Sequence, residues 1–124
     1  MGDWAAGLAL NPPPDPVIAV ARRQLLEVAG LCVAARKAPY VKALMQAEHR
    51  TGDCTLIGHG AAGAAESALI NGTAAHGEDF DDTFEGTPVH TGSTVVPAVL
   101  AACEDNHRSG ADLLAGISAG VELM

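Results

Sequence analysis

Between His76 and His90 the chain places five carboxylates, Glu78, Asp79, Asp81, Asp82 and Glu85, with no lysine or arginine among them. Like charges this close raise one another's pKa, so one carboxyl is expected to hold or accept a proton near neutral pH. That is the property a general acid or base needs. Three readings fit these residue types. Aspartates beside a histidine suit Mg²⁺ or Mn²⁺. An aspartate partnered by His90 suits acid–base catalysis. A solvated acidic loop closing a helix would carry no chemistry, although an acidic run at a helix C-terminus opposes the helix dipole.

Other motifs carry less. Gly58-His59-Gly60-Ala61-Ala62-Gly63 fits the glycine pattern of a dinucleotide-binding turn. That turn needs a buried strand before it and a βαβ unit after it, whereas few apolar residues precede this one and helical patterns follow. A glycine-rich loop leading into a helix is the better reading, with His59 a loop residue. His49 and His107 fall at polar helix ends and are expected to be solvated. Cys32, Cys54 and Cys103 are odd in number, form no CxxC pair and have no adjacent base. Disulfide, zinc and thiol chemistry are therefore not expected, and a reducing cytoplasm is the expected compartment.

The elements that must position the acidic stretch are helical. The 124 residues suffice for one domain, and 48% are hydrophobic against 18% charged, enough to build a core. Alanine (24) and glycine (14) together fill nearly a third of the chain and aromatics only 3%, which favours closely packed helices over β layers. The formal charge of −8 leaves no basic face for nucleic acid. No apolar run approaches a membrane span, and Pro12-Pro13-Pro14 interrupts what would be a signal sequence.

Periodicity predicts about five helices, near 16–35, 39–52, 61–76, 93–106 and 112–124. Residues 1–14 read as a flexible leader and 15–124 as the domain. Residues 54–57 read as a loop or brief extended piece, and 77–92 as irregular. Gly72 weakens its helix, so a close helix contact is expected there. Pro97 is expected in or just after the first turn of the fourth helix, where proline is tolerated. The last helix has no stop signal, and the chain reads as truncated.

The ordered string Asn71-Gly72-Thr73-Ala74-Ala75-His76, then Asp79-Phe80-Asp81-Asp82-Thr83, His90 and Val96-Pro97-Ala98-Val99-Leu100-Ala101, resembles the N-terminal region of the MmgE/PrpD family. That family includes 2-methylcitrate dehydratases, cis-aconitate decarboxylases and iminodisuccinate epimerases. The resemblance implies an all-α fold, here an incomplete helical domain that a second, smaller α+β domain completes in full-length members. It implies a cytoplasmic homodimer that needs no metal or organic cofactor. The substrate would be a di- or tricarboxylate, altered by proton movement next to a carboxylate with loss of water or CO₂, or with inversion.

By the same resemblance Asp79, Thr83 and His90 line the active site. Asp79 and His90 would act in proton transfer or substrate positioning, and Thr83 would hydrogen-bond the substrate. His76 and Asp82 are expected to support them, Asp82 and Asp81 as helix-capping or loop-shaping acids. His90-Thr91 stands where many members have His-Pro. The seven cations, Arg22, Arg23, Arg36, Lys37, Lys42, Arg50 and Arg108, all lie away from the acidic loop in sequence. A polycarboxylate pocket needs cations, so the chain reads as half of a site and is expected to be inactive by itself. A stand-alone helical module with a metal-binding acidic loop is the alternative.

Overall fold

The computed structural model describes residues 2–8, 11–47 and 51–124, which form six helices and one small hairpin. Helix α1 spans Gly2–Gly7, within the stretch read as a leader. Helix α2, Asp15–Ala35, begins with prolines at its N-cap and second position, where the missing N–H costs no helical bond. Helix α3, Pro39–Ala47, follows after a tight connection. The sequence carried that helix to near 52, but Thr51 and Gly52 are not helical; His49 lies outside the described residues.

Strands β1, Cys54–Leu56, and β2, Gly60–Ala62, pair antiparallel with Thr55 opposite Ala61. Here the structure departs from expectation. Alanine-rich 61–62 has good helix propensity, but Gly58 and Gly60 turn the chain through positive φ and the hairpin wins. An antiparallel hairpin also replaces the parallel βαβ unit that the dinucleotide reading required. Helix α4, Ala64–His76, latches the hairpin down. Ser67 Oγ donates to the Cys54 carbonyl at 3.0 Å. Asn71 accepts the Ile57 N–H at 3.0 Å and donates to the Thr55 carbonyl at 2.8 Å.

Helix α5, Thr91–Asp105, and helix α6, Gly110–Leu123, complete the chain. Ser109 and Asp112 exchange side chain-to-backbone hydrogen bonds at the start of α6, a reciprocal cap. Pro97 is a correction: α5 starts two residues earlier than expected, so the proline is inside the helix. It removes the partner of the Ser93 carbonyl. That oxygen lies 3.0 Å from where a Cβ at Gly72 would stand. The missing side chain at 72 thus lets α4 meet α5 at the point where the proline disturbs it.

Helix α4 packs along α5, α5 along α6, and α2 against all three. The core draws Val28 and Cys32 from α2, Val41 from α3, Leu56 from β1, Ile70 and Ala75 from α4, Val96 from α5 and Ile117 from α6. No helix among the described residues is long and apolar enough to cross a membrane. The segment 77–90, between α4 and α5, carries the acidic stretch. Both of its ends are fixed by buried helices.

Candidate functional site

Helix α4 ends at His76, and the Gly77 N–H closes its last turn on the Thr73 carbonyl at 3.0 Å. The Asp79 N–H then donates to the His76 carbonyl at 2.8 Å, with Asp79 itself in the left-handed region at φ 57°. Aspartate is among the few side chains that adopt this conformation readily. Tyr40 on α3 donates its hydroxyl to Glu78 at 3.0 Å and ties the loop's start to the fold. Farther on, the Phe84 N–H reaches the Val89 carbonyl at 2.8 Å and closes the loop on itself.

Asp82 anchors the other end. Its carboxylate accepts the Gly92 N–H at 2.7 Å, the Thr91 hydroxyl, and Gln24 Nε2 on α2 at 3.0 Å. These bonds satisfy orphan donors at the first turn of α5, where a carboxylate also complements the helix dipole. A Cβ at Gly92 would stand 2.3 Å from Asp82 Oδ1, so this approach requires glycine.

Between these anchors four side chains converge: His76, Asp79, Asp81 and His90. Asp81 is at the centre, its side chain fully buried, with Oδ1 3.1 Å from His76 Nδ1 and 3.2 Å from His90 Nδ1. The two imidazoles meet edge to face, their centroids 4.7 Å apart. His90 Nε2 points the other way and lies 3.7 Å from Asp79 Oδ1. The Asp79 side chain is 80% exposed and that of His90 only 20%. The group is therefore graded from a buried carboxylate, through imidazoles, to an open carboxylate.

The electrostatics differ from those expected of crowded acids. Burial pushes the Asp81 carboxyl up, but hydrogen bonds from Ser93, His76 and its own backbone outweigh it and hold Asp81 below the usual carboxylate range. Imidazoles, rather than other carboxylates, are its nearest ionisable neighbours. Among the described residues no lysine or arginine forms an ion pair with a loop carboxylate. The thiols offer no alternative nucleophile: burial pushes Cys32 up to about 11 and also raises Cys54 and Cys103.

The structure thus brings together Asp79, His90 and His76 of the residues singled out from sequence. Thr83 is exposed and outside the group, and Asp82 faces the start of α5. Sequence reasoning passed over Asp81 as a site residue. Its place in an acidic stretch flanked by two histidines was the available signal. Gln24, 58 residues from Asp82, had no local signal at all. As for a cation, the four converging residues each offer a ligand atom, all within 4.8 Å of one another. Two imidazoles and two carboxylates are a donor set suited to divalent transition metals.

The family model for the MmgE/PrpD N-terminal domain matches residues 1–124. A cis-aconitate decarboxylase of Aspergillus terreus is 35% identical over 106 residues, covering 82% of this chain and 21% of that protein. A cis-aconitate decarboxylase-like protein, oryM, of Aspergillus oryzae is 28% identical over 132 residues, covering 97% of this chain and 27% of that protein. This chain thus spans between a fifth and a third of the length of these relatives. No solved structure matches it.

Proposed function

The chain belongs to the MmgE/PrpD family, whose N-terminal domain it matches throughout, and on that premise we propose that it supplies the proton-transfer part of a cofactor-independent lyase. The substrate is a di- or tricarboxylate. The reaction moves a proton at the carbon next to a carboxylate, with cleavage of a carbon–oxygen bond, as in a 2-methylcitrate dehydratase, or of a carbon–carbon bond, as in a decarboxylase. The names of the fungal relatives favour decarboxylation.

One observation carries this reading: the open carboxylate of Asp79 lies 3.7 Å from His90 Nε2. Groups this close can act on one reacting carbon of a substrate bound beside them, and His90 is backed at its other nitrogen by buried Asp81. Asp79 and His90 are the acid–base pair, and exposed Thr83 is left free to hydrogen-bond substrate. His76 supports them through Asp81, and Asp82 does so by fixing the loop to α5. With no cation paired to the loop among the described residues, the substrate's carboxylates are held in this reading by groups outside them. A cytoplasmic homodimer is the proposed working form, with residues 15–124 as the domain and 1–14 as its leader.

The test is a chimera in which this chain replaces the matching segment of the Aspergillus terreus decarboxylase. We expect CO₂ release from cis-aconitate by the chimera and none by the 124-residue chain alone. Turnover by the isolated chain would overturn the half-site reading, and a folded chimera without activity would count against the proposed chemistry.

The four ligand atoms within 4.8 Å also support a second reading, a non-catalytic module that binds a divalent cation. Calorimetry with Mn²⁺ and Mg²⁺ up to millimolar concentration separates the two. Heat that vanishes in His90→Ala favours the module, and no heat with either ion removes it.

A further inference from the structure

Asp81 carries a function that the acid–base pair does not account for. Its carboxylate is fully buried, yet it is shared by the Nδ1 atoms of two histidines, His76 at 3.1 Å and His90 at 3.2 Å. His76 Nδ1 lies 3.1 and 3.2 Å from the two carboxylate oxygens, a forked contact. His90 Nδ1 is buried and has no partner that meets full hydrogen-bond geometry, although Asp81 Oδ1 stands within reach.

An ionised carboxylate only accepts hydrogen bonds, and a neutral imidazole carries one N–H and one lone pair. If either Nδ1 bore the lone pair, it would face oxygen lone pairs at close range with no water between. A buried polar nitrogen left without a partner also costs stability. Hydrogen on both Nδ1 atoms removes the first conflict, and a turn of the His90 ring would align its Nδ1–H with a carboxylate that has lone pairs enough for both. The depressed affinity of Asp81 for protons keeps it in the accepting form.

We propose that Asp81 is a positioning residue: its buried carboxylate holds His76 and His90 together as Nδ1–H tautomers and so leaves Nε2 of each ring as the basic atom. For His90 that atom is the one facing Asp79. For His76, whose side chain is 53% exposed, it is free to reach solvent or substrate. The site then holds two oriented bases on one buried anion, which makes His76 a second proton-handling residue. The use of these bases in turnover rests on the lyase reading; their orientation does not. Asp82 cannot take over this role, because its oxygens are engaged by Gln24, Thr91 and Gly92.

The experiment is long-range ¹H–¹⁵N correlation NMR of the imidazoles in the ¹⁵N-labelled 124-residue chain. It is read near pH 8.5, about two units above the ordinary imidazole pKa, where neutral rings reveal their tautomer. Signals are assigned with His76→Gln and His90→Gln. We expect a protonated-type Nδ1 and a lone-pair-type Nε2 in both rings. Either ring in the Nε2–H form overturns the proposal. In Asp81→Leu no acceptor faces the rings, so at least one is expected to move toward the Nε2–H form, whereas Asp82→Asn leaves both unchanged. Both rings unmoved in a folded Asp81→Leu chain would overturn the proposal. Where that variant does not fold, the reading of the unsubstituted chain decides by itself. No turnover enters the measurement, so Nδ1–H rings in an enzyme that proves inactive would count against the lyase reading alone.

Discussion

Gly92 donates its backbone N–H to Asp82 Oδ1 at 2.7 Å, and this bond fixes both the end of the acidic loop and the start of α5. The same carboxylate gathers the Thr91 hydroxyl and Gln24 of α2, so one side chain joins loop and two helices. Asp82→Ala should therefore lower stability by about 1–2 kcal/mol, the usual cost of losing a helix cap, with the helical content of the folded state retained. Urea unfolding followed by circular dichroism measures it. An unchanged midpoint would mean that the cap contributes nothing.

Stability should fall on acidification. Asp81 and Asp112 are both held below the ordinary carboxylate range in the folded chain, Asp112 by hydrogen bonds from the backbone and side chain of Ser109. A depressed folded value means that the unfolded state binds protons first. The stabilisation is fully present above the unfolded pKa of about 3.9 and is lost as pH falls through the lower folded values. Melting temperatures from pH 6 to pH 2 should decline below about pH 4, and less steeply in the Asp81→Asn, Asp112→Asn double variant. Equal slopes would contradict this origin.

Two glycines should respond oppositely to alanine. Gly30 is exposed in the middle of α2 with nothing within 4 Å of an added Cβ, so Gly30→Ala should stabilise by about 0.5–1 kcal/mol. At Gly72 the new Cβ would stand 3.0 Å from the Ser93 carbonyl oxygen, and the helices must part. Gly72→Ala should destabilise by about 1–3 kcal/mol as overpacking, outweighing its gain in propensity. Thermal melts of the two variants check the pair, and a stabilising Gly72→Ala would refute the tight α4–α5 contact.

Much of this was legible in the sequence, for reasons that can be located. Helix α2 announces itself by apolar spacing, α4 by its alanine content, and the histidines and aspartates of 76–90 by their types. The β1–β2 hairpin was hidden because Gly60-Ala61-Ala62 has no strand propensity, and its partner strand β1 is held by polar side chains of α4. Pro97 was misplaced because the true start of α5 depends on Asp82, nine residues before its first partner there. The centrality of Asp81 depends on two histidines closing over it, which spacing alone does not determine. Thr83 entered through resemblance, since an exposed threonine in a loop carries no signal of its own.

The central claim is that Asp79 and His90 move the proton, and rate measurements on the chimera test it most directly. Asp79→Asn keeps the shape of the side chain and removes its proton chemistry, so the rate should fall by about 10²–10⁴-fold while the fold and its melting temperature are preserved. His90→Ala should do comparable harm, Thr83→Ala less, and Asp82→Asn little to the rate of folded enzyme. An Asp79→Asn enzyme that turns over at the parent rate would contradict the account.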